Sequence, residues 1–147
     1  MFSADFVVLA SLFLAAFLAA TILPAQSEFV VAALIVSGRY DLTLLLTVAT
    51  AGNTLGAVVN WVLGRSVERF RDRRWFPISS AKLERATGWY QRWGKWSLLL
   101  SWAPIIGDAL TLVAGVLRVR LETFLILVIV AKGGRYLVLA WIVLAAR

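Results

Sequence analysis

Neither cysteine nor histidine occurs among the 147 residues, and there are only 3 prolines. Without cysteine the chain forms no disulfide and offers no thiolate to a metal, and without histidine it lacks the usual imidazole base and ligand. Any proton chemistry is left to carboxylates, lysine, tyrosine or water. Charge is scarce as well, at 16% of residues against 61% hydrophobic. A domain of this size cannot cover itself with so little polar surface, so the apolar excess faces lipid and the chain reads as an integral membrane protein of one domain, residues 1–147. With no phosphate loop and no metal-ligand cluster, the expectation is no cofactor, no metal and no enzymatic role.

The net charge is +7, yet nine of the fifteen Lys and Arg fall within residues 64–95, beside hydrophobic spans. Membrane topology accounts for that bias better than nucleic acid does, and no nucleic-acid partner is expected. The segment from Phe6 to Leu23 is apolar and about long enough to cross a bilayer. It has no basic leader and a poor small-x-small cleavage site, so it is expected to be retained. A break from Thr21 to Glu28 follows, then the short run Phe29 to Val36, whose eight residues rise only about 12 Å in a helix. Leu42 to Leu63 is long enough to cross. Residues 64–95 form a basic connector with a helical spacing of Leu83, Ala86, Tyr90 and Trp93, and tryptophans suited to the headgroup level, so an amphipathic helix on the cytoplasmic interface is expected, with an ordinary solvated loop as the plain alternative. Beyond it, Trp96 to Ala103 is short, Pro104 to Asp108 is a break, Ala109 to Leu117 is short, and Leu121 to Ala146 is a full span.

The two breaks share a pattern. Pro24 and Glu28 interrupt one apolar stretch, and Pro104 and Asp108 interrupt another 80 positions later. At that offset Val36 meets Val116, Thr43 meets Thr123, Ala51 meets Ala131 and Trp61 meets Trp141. Each half reads as apolar run, Pro-x-x-x-acid break, short run, basic turn and full span. The expected architecture is all-α: a re-entrant helical hairpin plus one transmembrane helix, occurring twice as an inverted repeat, with repeat 1 at about 6–63 and repeat 2 at about 96–146. Placing Arg118 and Arg120 on the same side as the connector agrees with the positive-inside tendency. Phe6 to Leu23 is long enough to be either re-entrant or fully spanning.

Polar residues at depth carry the functional expectation. Glu28 and Asp108, preceded by Ser27 and Gly107, open half-helices near mid-membrane, where a helix N-terminus favours negative charge. Helix capping alone is the plain alternative, although Ser or Asn caps without the cost of an ionisable group in lipid. Lys132 and Arg135 lie near the midpoint of the last span, too deep to snorkel, and need partners: Glu28, Asp108, an anionic substrate, or a structural ion-pair network. Gly52 and Gly56 in one span, and Gly133 and Gly134 in the other, permit close backbone approach between helices or around a ligand, and are compatible with a homodimer. Asn53 is placed to hydrogen-bond in the centre.

The runs Leu83-Glu-Arg-Ala-Thr-Gly-Trp-Tyr-Gln-Arg-Trp-Gly-Lys-Trp, Trp102-Ala-Pro-Ile-Ile-Gly-Asp108, Ala114-Gly-Val-Leu-Arg118 and Lys132-Gly-Gly-Arg-Tyr136 resemble the DedA superfamily, also called the VTT or SNARE-associated domain. Gly52-Asn-Thr-Leu-Gly56 and Pro104-Ile-Ile-Gly-Asp108 are most similar to its short bacterial YqaA branch. The resemblance implies facing re-entrant loops, an inner-membrane location, and a transporter-like role, with substrates among phospholipids and polyprenyl phosphates. One departure stands out: mainstream members carry Arg-x-x-Pro-Gly-x-Arg in the second loop, where Trp102 and Asp108 stand here. The leading expectation is a flippase or scramblase for an anionic lipid headgroup held by Lys132 and Arg135, with Glu28 or Asp108 exchanging a proton. A proton-coupled exporter of small ions or drugs, and a non-transporting membrane scaffold, are the alternatives.

Overall fold

Most of the chain condenses into helices whose ends the sequence marks locally. In the computed structural model, residues 3–21, 26–66, 80–103 and 106–147 are described. Among them six α-helices occur: α1 (Ala4–Thr21), α2 (Gln26–Ser37), α3 (Leu42–Arg65), α4 (Ser80–Trp93), α5 (Ile106–Val116) and α6 (Leu121–Ala145), with a 3-10 helix over Gly94–Trp102 between α4 and α5. There is no strand among the described residues. Pro24, Pro104 and residues 67–79 of the basic connector lie outside the described residues.

Among the described residues two helices, α3 with 24 residues and α6 with 25, are long and apolar enough to cross a membrane. At about 1.5 Å per residue each exceeds the roughly 30 Å hydrocarbon core. α2 and α5 have 12 and 11 residues, about half that length. The same local plan occurs twice: α2 ends at Gly38 with φ +65°, Asp41 caps α3 by accepting the Leu44 amide at 2.9 Å, and α5 ends at Arg118 with φ +56° before α6. Gly38 and Arg118 stand 80 positions apart, the spacing of the two breaks. A left-handed residue at a helix C-terminus satisfies the last carbonyls, here through Arg118 N to Gly115 O and Val119 N to Ala114 O.

α3 is the centre of the packing. A Cβ on Gly52 or Gly56 would strike the carbonyl of Phe13 or Phe17, so this face lies tight against α1. At its other end Gly64 of α3 crosses α5 at Gly115, and a Cβ on either would collide with backbone of the other helix. Leu45 and Ala49 of α3 cluster with Tyr136 and Ala140 of α6, while Ala57 and Trp61 cluster with Phe124, Leu127 and Val128. The two long helices therefore run antiparallel, with one apolar cluster near each end. The outward residues of α6 are large and apolar, Trp141 at 72% exposure and Ile126 at 64%, as a lipid-facing surface requires. α4 buries Ala86 against Ala109, Leu110 and Val113 of α5, with Tyr90 beside them. Of the residues at helical spacing in the connector, Trp93 is exposed rather than inward.

Candidate functional site

Between the two apolar clusters lies a layer of polar side chains, and α6 supplies both of its cations. Lys132, Arg135 and Tyr136 are three and four positions apart, so they project from one side of the helix. The first residues of α2 and α5 face them. Glu28, in the first turn of α2, forms an ion pair with Arg135. Asp108, in the first turn of α5, places Oδ1 3.7 Å from Lys132 Nζ. Each acid of the repeated break thus meets one cation of the last span. Lys132 is enclosed, with a side chain only 2% exposed, whereas Glu28, Asp108 and Arg135 are each about three-quarters to four-fifths covered. The local negative preference of a helix N-terminus acts on both carboxylates as well.

A second network ties the layer to α1 and α3. The Asn53 amide Nδ2 donates to the Ala16 carbonyl at 3.1 Å and to the Tyr136 hydroxyl at 3.2 Å. The Tyr136 oxygen lies 2.9 Å from Ser27 Oγ, so Ser27, beside Glu28, is fixed to the residue beside Arg135. One turn pair further along α3, Asn60 Nδ2 donates to the Ala20 carbonyl at 2.9 Å and to Thr111 Oγ1 at 3.3 Å, and Thr111 in turn donates to the Asp108 carbonyl at 2.7 Å. Each asparagine thus joins a carbonyl of α1 to a hydroxyl from another helix that stands next to an ion pair.

Among the residues expected from the sequence, Ser27, Glu28, Asn53, Asp108, Lys132 and Arg135 converge on this layer. Gly107 lies behind it, where a Cβ would strike the Ser101 carbonyl. Gly52 and Gly56 face α1. A Cβ on Gly133 would lie 3.6 Å from Thr50 Cγ2, an ordinary contact, and one on Gly134 would meet nothing within 4 Å. Tyr136, Asn60 and Thr111 were not singled out as site residues. Asn60 shares a face with Asn53 seven positions earlier, a spacing that signals an inward polar stripe in an otherwise apolar helix.

These features define a multi-pass helical membrane protein with ionisable pairs enclosed between its two long helices and two short ones. The chain belongs to the VTT domain family, whose domain matches residues 6–144. It is 40% identical over 130 residues to the inner membrane protein YqaA of Escherichia coli, covering 88% of this chain and 87% of that protein. A Haemophilus influenzae protein described as uncharacterized is 34% identical over 151 residues, covering 96% of this chain and 92% of its own. A more distant match, 26% identical over 100 residues, is undecaprenyl phosphate transporter A of Staphylococcus aureus, covering 63% of this chain and 49% of that protein. No solved structure matches the chain. The chain is accordingly an inner-membrane protein of the DedA and YqaA type.

Proposed function

We propose that the protein is a transporter of flippase or scramblase type that moves an anionic lipid or lipid-phosphate headgroup between leaflets, and that it is not an enzyme. The observation that carries this reading is the meeting of two acids, each opening a short helix, with two cations on one side of α6. The name of the Staphylococcus aureus relative, an undecaprenyl phosphate transporter, supports the same class of cargo.

In this reading the chain is an inverted repeat. α1 with α2, and the 3-10 helix with α5, are re-entrant hairpins entering from opposite sides, α3 and α6 cross the membrane, and residues 64–95, α4 among them, lie on the cytoplasmic face. The resting pairs are neutral overall, which keeps the enclosed layer from carrying net charge. A headgroup phosphate must therefore displace a carboxylate. Protonation of Glu28 or Asp108 frees its cation for the phosphate, and reionisation on the other side returns the pair and expels the cargo. Proton movement and headgroup movement are coupled by competition for Lys132 and Arg135.

The test is leaflet exchange in proteoliposomes with headgroup-labelled lipids, run with and without a pH gradient. Alanine at Lys132 or Arg135 is expected to abolish exchange while the folded protein still incorporates. Unchanged headgroup exchange in both variants sinks the assignment, and uptake of a water-soluble solute without lipid movement would move the protein to the exporter class.

A further inference from the structure

The 3-10 helix over Gly94–Trp102 runs for nine residues. Such helices seldom exceed about three or four, because their hydrogen bonds are poorly aligned. The sequence, Gly-Lys-Trp-Ser-Leu-Leu-Leu-Ser-Trp, has no proline and three leucines, so the residues themselves favour the α form and the surroundings impose the other. We propose that Gly94–Trp102 is a conformational spring: it converts between 3-10 and α, and its change in length draws Asp108 off Lys132 while α1 stays fixed on α3. Only the use of that motion in passing cargo rests on the transport reading.

The two halves differ in how these segments are seated. α1 is α-helical over all 18 of its residues and lies on Gly52 and Gly56 of α3, with Asn53 and Asn60 donating to its Ala16 and Ala20 carbonyls. At the offset of 80, Lys132 and Tyr136 of α6 stand where α3 has those glycines, so α6 offers no equally close seat. Leu98 of the 3-10 helix clusters with Phe124, Leu127 and Val128 of α6, but Ser101 is 1% exposed and its Oγ has no partner among the described residues. In an α-helix a serine hydroxyl reaches the carbonyl four residues back, here that of Ser97. Conversion to α satisfies the serine.

Both ends of the spring suit movement. Gly94 joins it to α4 with φ +62°, and a Cβ there would meet nothing within 4 Å, so the joint is unconfined. At the other end a Cβ on Gly107 would strike the Ser101 carbonyl, and Gly107 N donates to Ala103 O at 3.0 Å, so a shift of Ser101 passes directly into the turn that carries Asp108. Nine residues rise about 18 Å in the 3-10 form and about 13.5 Å in the α form, a difference of about 4.5 Å. The Asp108 to Lys132 contact, at 3.7 Å, has no slack for that. α5 stays held where Gly115 crosses Gly64 and tilts about that crossing. The Asn60 bond to Thr111, at 3.3 Å against 2.9 Å to Ala20, is the one that yields. Parting an enclosed pair is costly, so the spring releases when Asp108 is neutral or another anion takes its place.

The chain has no cysteine, so introduced pairs can be spin-labelled cleanly in the full protein in nanodiscs of phosphatidylethanolamine and phosphatidylglycerol. Glu84→Cys with Trp102→Cys spans the spring, and Val7→Cys with Leu55→Cys spans the α1 to α3 contact; all four positions are exposed. Asp108→Asn frees the tip, and Gly94→Ala disfavours the left-handed joint and so favours an unbroken α-helix. Each is expected to populate a distance across the spring about 4 Å shorter than the one that dominates in the unsubstituted protein. Gly94→Ala should raise the share of the shorter distance about tenfold. Amide exchange over residues 94–102 slows in the same variants, a readout that needs no label, and the α1 to α3 distance stays single. An unchanged distance and unchanged exchange in Asp108→Asn and Gly94→Ala, or a shift of equal size between α1 and α3, overturns the assignment. Two lengths of the spring without leaflet exchange of any lipid leave it standing and sink the transport reading; exchange with a spring of fixed length does the reverse.

Discussion

Lys132 Nζ lies 3.7 Å from Asp108 Oδ1, and the cation is the more enclosed partner, with 2% of its side chain exposed against 24% for the acid. The asymmetry decides what each deletion does. Removing the acid strands a cation with almost no access to solvent, whereas removing the cation leaves a carboxylate that retains some exposure and the field of the α5 N-terminus.

Asp108→Asn is therefore expected to cost more stability than Lys132→Met, with the former near the 3–5 kcal/mol typical of breaking an enclosed pair from one side. The double variant Asp108→Leu with Lys132→Met recovers most of the loss. Denaturant unfolding of the detergent-solubilised protein checks the order, and a double variant no better than Asp108→Asn would show that the pair is not the source of the cost.

Tyr136→Phe removes one oxygen and leaves Ser27 Oγ and one donor of Asn53 without their shared partner. Leaving enclosed polar groups unmade costs about 1–3 kcal/mol, and the Asn53 bond to Ala16 remains to limit the loss. The variant is expected to be less stable by about 1–2 kcal/mol on that scale, whereas Tyr40→Phe, which loses only the exposed bond to Asp5 at 3.2 Å, changes stability little. Equal losses in the two variants would remove Tyr136 from the network.

Charged and small residues differ in how far the sequence alone reveals their place. Glu28, Asp108, Lys132 and Arg135 are conspicuous because an ionisable group inside an apolar segment is costly anywhere in lipid, so position in sequence alone exposes them. Their one-to-one pairing is not legible, since it depends on which side of α6 turns toward each short helix. Tyr136 is harder still: its ring is at home in an apolar helix, and only the placement of Ser27 and Asn53 gives its hydroxyl a role. Glycines are the least legible. Gly52 and Gly56 announce a close approach by their spacing but not that α1 is the partner, and Gly64 and Gly115, 51 positions apart, carry no pattern at all until α3 and α5 cross.

That crossing gives a sharp comparison. Gly64→Ala and Gly115→Ala each drive a methyl into the opposing backbone, at Leu112 and Trp61 respectively, and neither backbone can rotate away. Overpacking of this kind costs about 1–3 kcal/mol, and tilting α5 to relieve it also moves Asp108 away from Lys132. Gly134→Ala meets open space and gains helix propensity of up to about 1 kcal/mol, so it is expected to be neutral or stabilising. Thermal unfolding of the three variants decides, and a destabilised Gly134→Ala would mean that something occupies that space in the membrane.

Gly38 and Arg118 occupy the same left-handed turn in the two halves, with φ +65° and +56°. Glycine adopts that conformation freely, whereas an L side chain pays about 1–2 kcal/mol. Arg118 bears that cost while its guanidinium is exposed and its backbone closes the end of α5 through the Gly115 and Ala114 carbonyls. Arg118→Gly is consequently expected to stabilise the fold by about 1 kcal/mol, and Gly38→Ala to destabilise it by a similar amount. If Arg118 lies with the 64–95 segment on the cytoplasmic side, Arg118→Gly should gain stability in detergent while weakening the positive-inside bias that sets topology in the cell. Unfolding measurements paired with cysteine accessibility at residue 118 in intact cells separate the two contributions, and a loss of stability in Arg118→Gly would show that the side chain, not the backbone turn, holds the end of α5.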